Sequence, residues 1–300
     1  MTLQHQKRWI GYILVIISAT FWGVGGTVSQ WLFQQENIDV TWFVAVRLAI
    51  SGLLLIMVSF ITQGKKVLLI WRDKRAAIQI IIYGIFGMLA VQYTFMSAIN
   101  YGNAAVATLL QYIGPIFIIA YLVIRKVTNF GVKEALAILF ALLGTYLLLT
   151  NGHVENLQVP KRAIIWGLLS AIALAFYTVY PVRLLARWGS LNVVGWGMFI
   201  GGSALSFIHP PWQVSLAEWS FQTHALFWFA IVFGTMIAFW FYIDSLHYLF
   251  PHEASLLGTI EPLMALLTSI VWLDVSFGAW QLLGVVFIIL MVIVLSVVKK

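Results

Sequence analysis

The chain has 300 residues, 62% of them apolar and only 9% charged, with a formal net charge of +7. A water-soluble domain carries about 25% charged residues, so the composition excludes an ordinary soluble enzyme or binding module and points to a lipid bilayer. The chain contains no cysteine, which excludes disulfides and thiol chemistry.

Taken in order, the chain opens with Lys7-Arg8 and a long apolar run. A secretory signal has an apolar core of about 7–15 residues and a small-residue cleavage site. This run is longer and lacks that site, so it reads as a retained first span. Ten apolar stretches have about the 20 residues needed to cross a bilayer. They lie near Trp9–Phe33, Trp42–Ile61, Ala76–Ile99, Ala104–Ile124, Val132–Thr150, Ala163–Ala186, Leu191–Ile208, Ala225–Leu246, Ala254–Leu273 and Ala279–Val298. They do not alternate as barrel strands would, and helix is the state in which each run satisfies its own backbone in lipid. The fold class expected is an all-α polytopic membrane protein. The 14 tryptophans suit two membrane interfaces, where amphipathic rings settle.

Ten spans put both termini on one side. On that side fall Lys7, Arg8, Lys65, Lys66, Arg72, Lys74, Arg75, Arg125, Lys126, Lys133, Arg183, Arg187, Lys299 and Lys300; Lys161 and Arg162 fall on the other. Glu36, Asp39, Glu155, Glu218 and Asp274 also fall on that other side. The bias predicts cytoplasmic termini, and it accounts for the basic charge beside an anionic leaflet without nucleic acid.

The stretch from Ala98 to Pro115 aligns without a gap on Ser245 to Pro262. Tyr101 falls on Tyr248, Ala107 on Ala254, Leu109-Leu110 on Leu256-Leu257, Ile113 on Ile260 and Pro115 on Pro262. The register extends to Phe86-Gly87 on Phe233-Gly234 and to Phe130-Gly131 on Phe277-Gly278. A constant shift over that distance is an internal repeat, with residues 1–152 holding spans one to five and 153–300 spans six to ten. Five is odd, so the halves enter the membrane in opposite senses. Two inverted five-helix repeats are a transporter architecture with a site near the midplane. Duplicated membrane proteins also include scaffolds and enzymes.

Further residues carry a family resemblance. They are Gly11 through Phe21-Trp22-Gly23, then Arg47-Leu48-Ala49, the run from Ala98 to Pro115, Gly131, Gly144, Phe176-Tyr177-Thr178 and Glu261-Pro262. In order and spacing, over nearly the whole chain, they resemble the EamA-type drug/metabolite transporters. The resemblance implies ten helices in two repeats, a central cavity reached by the first and sixth spans, and small-molecule transport, commonly export. Arg125-Lys126 stands where many members carry a glutamate at the end of the fourth span, and Leu273-Asp274 stands there in the ninth.

The candidate site is read from residue type and depth. Glu261 lies about nine residues into its helix, about 13 Å deep at 1.5 Å per residue. An intramembrane carboxyl is costly and marks function by default; one that can gain and lose a proton is what a proton-coupled carrier needs. Its face runs through Ala254, Gly258, Ala265 and Thr268, and the matching face in the first half runs through Ala107, Gln111, Gly114 and Ile118. A structural role for Glu261, bonding backbone freed by Pro262, is the competing reading. Pro115 and Pro262 are expected to break or kink their helices at equivalent points, as helix-break or gating positions. Trp22 and Tyr177 are expected to stack on a planar substrate or hold a cation, a placement the resemblance supports. Gln92 and Tyr93 in the third span, and Trp240 opposite Tyr93 by the repeat, complete the expected substrate-binding set. Asp244, His247, His252 and Glu253 read as an interfacial cluster or inner gate; their spacing lacks a helical histidine pair, so no metal site is expected. Arg47 is expected to snorkel outward to Glu36 and Asp39, with anion binding as the alternative. Gly195, Gly197, Gly201 and Gly202 are expected to let helices approach closely.

The function expected is a secondary active transporter, with export the direction the resemblance implies. It would move small metabolites, amino-acid-like or amphiphilic compounds by alternating access, coupled to protons through Glu261. An intramembrane enzyme would need paired catalytic groups at one depth, and no catalytic residue is assigned. A structural or sensory membrane protein would need no deep glutamate. No nucleotide motif is visible, and neither cofactor nor metal is expected. The expected partners are a small-molecule substrate and the lipid bilayer, not nucleic acid, with a homodimer left open.

Overall fold

The computed structural model describes residues 8–127, 130–153 and 157–296. Lys7, Glu155, Lys299, Lys300 and the last two residues of the tenth predicted span lie outside them. Helices run the length of the described residues, with no strand among them.

Among the described residues ten helices cross the fold, and polar caps mark where several of them start. Helix α1 is Arg8–Gln34. Helix α2, Val40–Gln63, starts where the Asp39 carboxylate accepts from the Trp42 N–H at 2.8 Å. Helix α3, Lys74–Tyr101, is capped by Asp73, which accepts from the Arg75 and Ala76 N–H groups. Helix α4, Ala104–Ile124, is capped by Asn103 on the Val106 N–H at 2.8 Å. Helix α5, Val132–Thr150, ends on Asn151 in the left-handed region. Helix α6 is Lys161–Val179, and α7 is Ser190–Ser206. Helix α8, Phe221–Ser245, is capped by Ser220. Helix α9 combines Pro251–Gly258 with Ile260–Leu273, and α10 is Ala279–Ser296. Nine of the ten are long and apolar enough to span a bilayer by themselves; α7 has 17 residues. The chain is a multi-pass membrane protein.

One span departs from its predicted length. The sixth was expected to continue to Ala186, but α6 stops at Val179 and a short helix, Val182–Trp188, comes after it. Pro181 lacks an N–H and its ring clashes with the preceding turn, which ends the helix there.

The main packing pairs exchange when each helix is replaced by the one five places away. Helix α3 packs on α6 as α8 packs on α1, α4 on α6 as α9 on α1, and α2 on α7 and α5 on α10 pair with their own counterparts. Local irregularities obey the same exchange. Helices α3 and α8 each contain a π-helical segment, Tyr83–Leu89 and Val232–Ile237, around the equivalent Phe86-Gly87 and Phe233-Gly234. In α8 the Thr235 hydroxyl matches the wider turn, donating to the Ala230 carbonyl at 2.8 Å.

Helices α2 and α7 form the closest scaffold contact, and small residues allow it. A Cβ on Gly202 would meet the backbone of Ala45 and Ala49. On the side of the termini, Arg8 of α1 pairs with Glu253 of α9, and Arg187 pairs with Asp73 at 2.8 Å. The Ala76 N–H, with Arg187 beside it, holds the Asp73 carboxyl below its ordinary pKa. At the opposite ends, α1 is tied to the α3–α4 turn. The Gln30 side chain accepts from the Ala104 N–H at 2.9 Å, and Gln34 donates to the Gly102 carbonyl at 3.0 Å.

Candidate functional site

The site is built on a broken helix. Pro262 has no N–H, so the Gly258 carbonyl one turn back loses its intrahelical donor. Helix α9 is interrupted there, at Thr259. Helix α4 breaks at the equivalent place, Tyr112-Ile113, ahead of Pro115. The two breaks meet. The Tyr112 hydroxyl lies 2.7 Å from the Gly258 carbonyl oxygen and 3.2 Å from Oε2 of Glu261. Tyr112 therefore caps the carbonyl that Pro262 orphans, a role the competing structural reading had given to Glu261.

Helix α1 closes a further side. Gly23 packs against the Glu261 carbonyl and Ala265, and the Thr27 and Thr268 hydroxyls share a 2.6 Å hydrogen bond. Ser18 donates to the Ala238 carbonyl at 2.7 Å, fixing α1 against α8. Trp22 packs its ring on Phe239 and Tyr242, with centroids 5.0 and 5.2 Å away. Its indole Nε1 is buried without an acceptor among the described residues. Tyr242 stands within electrostatic reach of both Glu261 and Tyr112. Glu261, Tyr112, Trp22 and Tyr242 thus form one aromatic-walled carboxyl site. No cation pairs with Glu261 among the described residues.

The other expected residues have partners of their own. Gln111 donates to the Ser170 hydroxyl of α6 at 2.6 Å and does not join Glu261. Tyr93 meets Trp166 edge to face at 5.7 Å, and Tyr177 stacks on Tyr83 at 5.7 Å. Trp240 is half-buried beside Phe241. Gln92 accepts from the Arg47 guanidinium.

That last bond corrects an expectation. Arg47 does not snorkel to Glu36 or Asp39; it is 4% exposed, lies 5.4 Å from the Phe43 ring centre and leaves Nε without a partner. Asp39 is committed to capping α2, and its other neighbour is His209. Packing against α7 and α3 turns Arg47 inward. The interfacial cluster is also divided. Glu253 turns to Arg8 and to the Phe250 N–H, while His247 stays with Asp244. No group able to hold a metal occurs among the described residues, and the His252 side chain lies outside them.

Sequence reasoning missed Tyr112, Tyr242 and Tyr83. For Tyr112 a signal existed: a hydroxyl three residues before a helix-breaking proline, in an otherwise apolar run. The repeat put Gln111 and Gly114 on the equivalent face, and they do share one, but it packs on α6: Gln111 bonds Ser170 and a Cβ on Gly114 would meet Ala171 and Leu174. A cavity of about 420 Å³ lies at the ends opposite the termini, lined by Asn103, Asn151, Gln158 and Gln281 among others. None of the expected site residues lines it. Asn151 and Gln281 serve there as caps for each other's helix ends.

The EamA-like transporter family matches over residues 9–150 and 161–297, nearly the whole chain. The chain belongs to that family. It is 35% identical over 286 residues to an uncharacterized inner membrane transporter, YicL, of Salmonella typhimurium, covering 95% of each chain. It is 20% identical to an uncharacterized transporter, YcbK, of Bacillus subtilis, covering 91% of this chain and 88% of that one. A solved crystal structure resembles it with a TM-score of 0.65 at 16% identity, over 97% of this chain and 96% of the other, a likeness of fold. The EamA-family chain is thus a membrane transporter.

Proposed function

We propose that the protein is a proton-coupled secondary transporter working by alternating access, with two inverted halves, residues 1–152 and 153–300. Its termini face the cytoplasm, and export is the direction the family resemblance favours. One observation carries the reading: Glu261, a carboxyl without a cation partner, sits where helix breaks from the two halves meet. The exchange of packing pairs between helices five apart supports the two halves, as do the two matched segments of the family. The ties of Gln30 and Gln34 to the α3–α4 turn would hold α1 against that turn, at the ends opposite the termini, in this state.

Substrate class is argued from charge. Each half contributes one ionisable group within its spans without an opposite partner, the buried Arg47 beside Gln92 and the half-buried Glu261 beside Tyr112. An unpaired charge in lipid is costly to retain. A substrate bearing both a carboxylate and an ammonium group complements both, which favours amino-acid-like compounds over lipophilic amines. Trp22, Tyr93, Gln111, Tyr177 and Trp240 would line its path. The partners are then this substrate and the bilayer.

The test is flux in proteoliposomes under an imposed pH gradient. Three sets of compounds are compared: amino acids, their carboxamides, and lipophilic amines. Amino acids should move and their carboxamides should not. Transport of amines alone would reject the substrate class, and absence of flux for all three would reject the transport reading in this form.

A further inference from the structure

The Tyr112 hydroxyl has one proton and two acceptors within reach, the Gly258 carbonyl at 2.7 Å and Oε2 of Glu261 at 3.2 Å. It cannot donate to both at full strength. When Glu261 is protonated, its O–H donates to Tyr112 Oη, and Tyr112 donates to Gly258. Every group in that chain is satisfied, and the carbonyl orphaned by Pro262 is capped. When Glu261 is ionised it becomes the stronger acceptor, because hydrogen bonds to a charged group are about twice as strong as neutral ones. The Tyr112 proton then turns to the carboxylate, and Gly258 loses its cap. Tyr112 keeps its own proton in both arrangements; the only proton gained or lost is that of Glu261.

We propose that Tyr112 is the residue that couples the charge of Glu261 to the conformation of α9, by capping the Gly258 carbonyl only while Glu261 is protonated. This deepens the proposed proton-coupled transport and rests on that reading. The coupling crosses from one half to the other, since Tyr112 is on α4 and both acceptors are on α9. The capped element is suited to move: Pro251–Gly258 is an eight-residue segment joined to the rest of α9 at Thr259. Its neighbours leave Glu261 to Tyr112. The titratable groups facing Glu261 are Tyr112 from α4 and Tyr242 from α8. Helix α1 presents Gly23 and the uncharged Trp22, and α10 carries no ionisable side chain. A second proton acceptor or a cation at the site would otherwise take over the role.

The test needs no substrate. Because the chain lacks cysteine, Ser255→Cys, at an exposed position on the short segment, gives a unique nitroxide label. Its mobility is tracked by electron paramagnetic resonance from pH 4 to pH 10 in liposomes. In the otherwise unchanged chain, mobility should rise in one step as Glu261 ionises. Glu261→Gln, whose amide donates to Tyr112 as the protonated acid does, should hold the label at the ordered level throughout. Tyr112→Phe should abolish the step and leave the label mobile at every pH. A step that survives Tyr112→Phe, or its absence from the unchanged chain, overturns the proposal. Neither result depends on substrate flux, so failure here leaves the transport reading standing, and failure of flux leaves this test intact.

Discussion

Two glycines one turn apart on α1 should respond oppositely to the same added methyl group. A Cβ on Gly23 would lie 2.5 Å from the Glu261 carbonyl oxygen, 2.8 Å from Met264 Cβ and 2.9 Å from the Ala265 nitrogen. A Cβ on Gly26 would lie 3.5 Å from Ala104 Cβ, ordinary contact. Both changes gain the helix propensity of alanine over glycine, about 0.8–1 kcal/mol. At Gly23 the gain is opposed by overpacking, about 1–3 kcal/mol, because α1 and α9 must separate by about 1 Å against backbone rather than a yielding side chain. Gly26→Ala should therefore stabilise by about 0.5–1 kcal/mol, and Gly23→Ala should be less stable than it by about 1–3 kcal/mol. Reversible unfolding by dodecyl sulfate in mixed micelles measures both on one scale. The displacement at Gly23 also moves Glu261 relative to Tyr112, and a misplacement of about 1 Å costs up to about 100-fold in a positioned site. Gly23→Ala should accordingly lose most of its flux while Gly26→Ala keeps it. Equal stability of the two variants within about 0.5 kcal/mol, or equal flux, would refute the packing argument.

Four further outcomes are expected. Glu261→Gln should fold and insert normally but lose the pH dependence of transport in proteoliposomes; an unchanged pH profile would make the carboxyl structural. Arg47→Met should destabilise by about 1–3 kcal/mol, since the Gln92 carbonyl is left without its donor, and Arg47→Met with Gln92→Leu should recover most of that in the same unfolding assay. Gln30→Ala with Gln34→Ala should raise the labelling rate of Asn103→Cys by an impermeant maleimide added from outside, as the tie between α1 and the α3–α4 turn is lost. A tag after residue 300 should stay inaccessible in intact cells, whereas one in the 151–160 loop should be reachable.

Much of the architecture was legible without coordinates because the bilayer imposes a one-dimensional rule. A chain crossing lipid must hide its backbone in helices about 20 residues long, so apolar run length located nine spans closely and the sixth up to Pro181. The repeat was legible because a constant register shift survives in the letters, and its paired prolines also marked where α4 and α9 break. Glu261 stood out because a carboxyl is expensive at that depth. What the letters did not contain was the choice of neighbour for each helix face. Helical periodicity put Gln111 and Glu261 on equivalent faces, but the face of α4 packs on α6 and the face of α9 on α1, so Gln111 meets Ser170 while Tyr112, beside it, reaches Glu261. Arg47 had acids nearby in sequence, but α2 buries that face, so its partner became Gln92, 45 residues away. Depth in a membrane is set by sequence position alone; which side chains share a hydrogen bond at that depth depends on how whole helices turn and pack, and that only the tertiary structure decides.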